Sequence, residues 1–229
     1  MKTVARNNRV IAALVSCALC GAAAIAVVGC GEKKSETGET RVSVKSGLAA
    51  GVDPMRSRTV AFSELVSMPE PPGVTQNDRR YEKARIPAFP NPLGLKEGDV
   101  VTVTGYLHSV TLMGDGDYNL RISASKDSAD SFIVSEIPDD DDVSNGHLRG
   151  MVGAARDFIK KQILQGHDPA RTPGTRLADA PAIELTGQLF FSDRNVGQPI
   201  AADAQGLRRA TNWQIHPGFD VSFASKTGQ

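Results

Sequence analysis

The sequence predicts a mainly β domain with one helix, a small barrel of five strands in the order β-β-β-α-β-β. Three observations predict it. Between Asp99 and Pro138 apolar residues recur every second position in two short runs, and a third run, Phe132-Ile-Val134, is continuous. A single helical stripe follows at 148–163, and two more alternating runs come after it, at 183–189 and 213–223. Finally, Val101-Thr-Val-Thr-Gly105-Tyr-Leu107 and Ile183-Glu-Leu-Thr-Gly187-Gln-Leu189 share one pattern, apolar-x-apolar-Thr-Gly-x-Leu. Period two marks a strand with one buried face, and a period near 3.6 marks an amphipathic helix.

Each element has its own signal. Val101, Val103, Gly105 and Leu107 alternate with Thr102, Thr104, Tyr106 and His108 in the first strand, and Met113-Gly-Asp-Gly-Asp117 supplies turn chemistry. Tyr118, Leu120 and Ile122 form the buried phase of the second strand; Phe132-Ile-Val134 leads the third, which ends at Pro138. Asp139–Asp142 precede a helix that Ser144 or Asn145 caps, with Leu148, Met151, Val152, Ala155, Phe158, Ile159 and Ile163 on one side and Gly166 at its stop. Ile183, Leu185, Gly187 and Leu189 make the fourth strand; Trp213, Ile215, Phe219, Val221 and Phe223 line the last.

Three strands, a helix and two strands is the order of the OB-fold, a partly open Greek-key barrel. In it the first and fourth strands are neighbours, so Gly105 and Gly187 mark points where barrel strands bend. An open α+β sheet with one helix is the alternative arrangement of the same elements. The ending Asn212-Trp-Gln-Ile-His-Pro217, with Gly116-Asp-Tyr118 at the second strand, resembles small bacterial barrel domains that finish on a Trp/Leu-Glu-Ile/Leu-His-Pro strand. Gln214 stands where their acid is usual. The resemblance covers about residues 99–223 and implies a fold without an activity.

The N-terminal part reads differently. Lys2, Arg6 and Arg9 open the chain with no acid before Glu32, and Val10–Gly29 is apolar or small apart from Ser16. A basic start followed by an apolar stretch is the export-signal pattern; an uncleaved transmembrane anchor is the alternative, since about 20 apolar residues span a bilayer. Val27-Val28-Gly29-Cys30 resembles the lipobox of bacterial prolipoproteins, with Leu14-Val15-Ser16-Cys17 as a rival. That resemblance implies a diacylglyceryl group on Cys30, cleavage before it and acylation of the new amino group. It implies an extracytoplasmic, membrane-anchored product, and Gly31 at the position after the cysteine points to the outer membrane of a Gram-negative cell. Each buried methylene contributes about 0.8 kcal/mol to such anchoring.

The expected domains are therefore a leader over 1–29, a flexible tether over 30–50, an irregular Pro-rich segment over 51–98 and the barrel over 99–225. Removing the leader takes three basic and no acidic residues from a chain with 26 of each, leaving a net charge of −3, and it removes Cys17 and Cys20. Without further cysteines the domain must be held by its core, and no thiol catalyst is available. Residues 99–229 carry 12 basic against 17 acidic side chains, which weighs against a nucleic-acid partner.

Candidate chemistry is sparse. Asp115, Asp117, Glu136 and Asp139 fall near strand ends that a barrel brings together, and clustered carboxylates attract a hard cation such as Ca2+. The pattern is similar to the staphylococcal-nuclease family, whose metal carboxylates come from an Asp-Gly-Asp turn and an acid-x-Pro-acid step, here Asp117, Glu136 and Asp139. That resemblance implies a Ca2+-dependent phosphodiesterase. Ser131 or Phe132 stands at that family's phosphate-binding Arg, and Arg149 or Arg156 is the nearest match to its second Arg. Solvated acids leading a helix are the plainer reading. His108 and His216 lie on outward phases as a cross-strand pair, and none of the four histidines has zinc-ligand spacing. Tyr106 and Phe190 are outward aromatics on the matched strands, suited to a peptide, protein or glycan partner or to being covered by segment 69–92. The primary expectation is a lipid-anchored binding or scaffold module rather than an enzyme.

Overall fold

The computed structural model describes residues 41–128, 131–198 and 208–225. The five strands are β1 (Val100–Leu112), β2 (Tyr118–Ser123), β3 (Phe132–Ile137), β4 (Ala182–Phe191) and β5 (Trp213–Phe223). The helix α1 spans Gly146–Phe158 and runs into a π-helical turn over Ile159–Ile163. The hydrogen-bonded order is β1-β2-β3-β5-β4, and β4 returns to β1, so the sheet closes. Every barrel pairing is antiparallel except β3–β5, which is parallel at Ser135 and Ile215. This is an OB-like barrel, as the element order predicts. Two outer pieces, Arg58–Thr59 and Thr175–Arg176, add to β1.

The matched segments pair with one another, Val103 opposite Leu185 and Thr102 opposite Thr186, whose hydroxyls lie 2.8 Å apart. Their glycines permit close approach. A Cβ on Gly105 would stand 2.5 Å from Ile122 Cγ2, and one on Gly187 would strike Ile215 and the Pro217 carbonyl. The β4–β5 register shifts on both sides of Gly187.

A second shift lies in β1 between Leu107 and Ser109. It lets Leu107 and Val110 both enter the core, fully buried, and turns His108 and Ser109 outward. Sequence alternation alone stops at His108; the bulge carries the strand on to Leu112. The core continues through Leu120, Ile133, Leu185 and Ile215 to Leu148, Val152 and Ile159 on one side of the helix. Asn145 caps the helix, its Oδ1 accepting from the His147 and Leu148 N–H groups. Gly166, at φ +89°, lies past its end with its N–H on the Lys160 carbonyl.

The approach to the barrel holds one short helix, Phe62–Val66, and packs over Trp213. Trp213 Nε1 donates to the Pro69 carbonyl at 2.9 Å, and Phe89 stacks on the indole. The tether expected over 30–50 is corrected across 41–50. There Arg41 is 2% exposed, Val44 is buried, and Val42–Lys45 form one helical turn against the barrel. The segment stays down because its polar groups find partners inside the fold, which composition does not reveal. The proposed leader, lipobox and Cys30 lie outside the described residues.

Candidate functional site

The outward phases of β2, β3, β5 and β4 build one polar face. Ser135 and Ile215 point inward as a pair, so Glu136 and His216 point outward, and Asn119 lies opposite Glu136 across β2–β3. Asn119 Nδ2 donates to Glu136 Oε1 at 2.9 Å. His216 stacks on Phe190 with ring centres 5.2 Å apart, and its Nδ1 is 3.2 Å from Glu136 Oε2. Neither ring nitrogen of His216 is in hydrogen-bonding geometry with a partner.

Residues 41–50 lie over this face as a strap. The Arg41 guanidinium sits 4.7 Å from the centre of the Phe190 ring and pairs with Glu97 at 2.7 Å. Lys45 Nζ is 5.6 Å from the same ring and 3.4 Å from Glu136 Oε2. Farther along, the Ala49 N–H donates to Gln188 Oε1, and Arg85 Nη2 donates to the Val44 and Gly47 carbonyls.

Burial governs the electrostatics. It pushes the His216 imidazole down to about 3, so the ring is neutral at ordinary pH. Burial also opposes the charge on Glu136, but His216, Lys45 and the Asn119 amide outweigh it and hold the carboxyl at about 2. Asp117 moves the other way: burial, then Asp115 and Glu136, push it up to about 7. The face is thus an ionised Glu136 countered by the strap's ammonium beside a neutral imidazole.

The four candidate metal carboxylates do not form one cation site. Asp117 Oδ1 accepts the Asp139 N–H, Asp115 Oδ1 accepts the Asp117 N–H, and Asp139 Oδ1 caps the Asp141 N–H. Glu136 faces Asn119, Lys45 and His216. Among the described residues no three His, Cys, Asp or Glu side chains group as metal ligands. The donor set does not fit Ca2+: its turn carboxylates complete local backbone bonds, and an ammonium already supplies the positive charge at Glu136. The two arginines are also engaged. Arg156 donates to the Gly116 and Pro138 carbonyls and lies 3.9 Å over the Tyr118 ring, and Arg149 donates to the Val143 carbonyl.

The expected histidine pair is not formed. β1 and β5 are not neighbours, and His108 Nε2 is instead 2.7 Å from Ser123 Oγ and 2.9 Å from the Ser125 carbonyl. Phe190 is outward in phase but only 1% exposed, and Arg41 and Lys45 lie over its ring. Tyr106 is half-buried. Trp213 and Tyr118 are buried, as their phase predicts.

Sequence reading missed Arg41, Lys45, Glu97, Asn119 and Gln188. The only local trace of the strap is Val42 and Val44 in a polar stretch; its acidic partner Glu97 is 56 residues away. Elsewhere an open cavity of about 330 Å³ is lined by Tyr118, Asp140, Gly153, Arg156, Asp157, Lys160 and Asp168, with Lys160 and Asp168 paired at 2.7 Å.

No protein-family profile matches the sequence, and no curated protein matches it. Among solved structures the chain is similar, at 10% identity and a TM-score of 0.31, to one described as an aspartyl-tRNA synthetase from Leishmania major Friedlin. The match covers 80% of this chain and 24% of that one, so this chain spans about a quarter of its length.

Proposed function

We propose that this protein is a lipid-anchored lipoprotein of the bacterial cell envelope, whose barrel is a binding module without catalytic chemistry. The observation that carries the reading is Val27-Val28-Gly29-Cys30 at the end of an apolar, acid-free leader. Arg41 is locked into the fold, so a lipidated Cys30 is joined to the barrel by a connection that reaches about 40 Å at most, from about 3.6 Å per residue. The anchor therefore keeps the barrel beside the headgroups, where its partner is to be sought. What supports a binding role over a reactive one is that the Glu136 carboxylate on the polar face is already engaged by Lys45 and Asn119. Nothing in the carboxylate geometry favours the phosphodiesterase alternative.

Intact-mass and peptide mass spectrometry of the protein from its native membrane tests this. A chain beginning at Cys30 and carrying diacylglyceryl and acyl mass is the expected result. A chain that begins at Met1, or a Cys30 thiol without lipid, overturns the proposal.

A further inference from the structure

The strap over the polar face leaves that face incompletely used. Gln188 Nε2 and His216 Nε2 are buried beneath it without hydrogen-bond partners, and His216 Nδ1 has only a poorly aligned 3.2 Å approach to Glu136 Oε2. Buried polar groups are ordinarily paired, because an unmade bond costs more than a made one contributes. The unused groups sit beside two carboxylates and one aromatic ring that meet two cations, one just before the helical turn Val42–Lys45 and one at its end. Arg41, the residue before that turn with a left-handed backbone, and Lys45, its last residue, are four apart, and both lie over Phe190. Each has its own acid, Glu97 for Arg41 and Glu136 for Lys45.

We propose that this face is a docking site for a basic protein segment presenting two cations four residues apart, and that residues 41–50 are its resident, autoinhibitory occupant. The chemistry selects the partner. A phosphate-bearing ligand meets Glu97 and Glu136 at the face and is repelled. A cationic turn is attracted by those acids and by the ring quadrupole of Phe190. A segment that also offers an acceptor to Gln188 Nε2 or His216 makes bonds that the strap leaves unmade, which is the free-energy difference exchange requires. This inference goes beyond the anchoring and stands whether or not Cys30 is acylated.

The test uses the full-length chain and a labelled peptide copying residues 41–50, Arg-Val-Ser-Val-Lys-Ser-Gly-Leu-Ala-Ala. In the Arg41→Ala/Lys45→Ala chain the resident cations are gone and the site is open to the peptide. Binding at least about tenfold tighter than to the unaltered chain is expected, with a raised melting temperature and about tenfold loss when the peptide's lysine is replaced by alanine. No binding to the folded double variant, or equal binding of the alanine peptide, overturns the proposal. Should that variant not fold, the unaltered chain decides. Saturating peptide is expected to speed amide exchange at Val44 and Lys45, whose N–H groups bond the Arg41 carbonyl. Unchanged exchange there overturns it. A concentration-dependent dimer that trades residues 41–50 between copies also overturns it, by making a second copy the occupant.

Discussion

Arg41 and Glu97 form an ion pair closed off from water, Nη2 to Oε2 at 2.7 Å with both side chains fully buried. The guanidinium also donates to the carbonyls of Tyr81, Ala84 and Phe191, and Glu97 accepts the N–H groups of Ile86 and Phe191. One pair thus ties the strap, the Pro-rich approach and β4 together. Removing one partner leaves a buried charge without compensation. Arg41→Ala is expected to lower stability by about 3–5 kcal/mol in urea denaturation. Arg41→Ala/Glu97→Ala together should cost less than the sum of the two single changes, since the cycle removes both charges.

Asp117 gives stability an unusual pH arm. Its folded-state value near 7 lies above its ordinary value, so between about pH 4 and 7 the folded chain holds a proton that the unfolded chain has released. Its contribution is full below about pH 4 and is lost as pH rises through 7. Asp117→Asn keeps an oxygen for the Asp139 N–H and should flatten this slope, raising the melting temperature at pH 8 relative to the unaltered chain. Glu136 and His216 act in the opposite sense. Both are held low, at about 2 and about 3, so their contribution is lost as pH falls from about 6 toward 2. Melting curves from pH 3 to 8 read both arms.

Gly187 is required by contact rather than by turn geometry. An added methyl meets Ile215, the Pro217 carbonyl and Gly218 Cα, all within the β4–β5 seam. Gly187→Ala should cost about 2–3 kcal/mol through overpacking. Gly150 on α1 is the contrast: nothing lies within 4 Å of its would-be Cβ, so Gly150→Ala should stabilise by about 0.5–1 kcal/mol through helix propensity. Equal effects of the two substitutions would refute the close-approach account.

Trp213 is the sole tryptophan and reports on the docking of segment 62–92. Its ring is buried between Phe89 and Phe191, so emission should be blue-shifted in the native state and move to the red on unfolding. Trp213→Phe keeps most of the apolar contact but leaves the Pro69 carbonyl without its donor. A loss of about 1–3 kcal/mol is expected in chemical denaturation.

The sequence by itself determined the barrel. Alternation named most core residues of β1, β2, β4 and β5, the helical stripe at 148–163 located the cover, and the element order, with two copies of the Thr-Gly motif, pointed to a barrel in which β1 and β4 are neighbours. These features are local, and each repeats often enough to be read without knowing the fold. Only the tertiary structure decided the fate of the outward phases. Phe190, Glu136 and His216 are outward by alternation yet buried by a strap that lies up to 175 residues before them in the chain, and Asp117 and Asp139 bond local N–H groups while Glu136 meets the Lys45 ammonium. Long-range charge pairing leaves no periodicity in a sequence, because Arg41 needs Glu97 at one point in space and at no set distance along the chain.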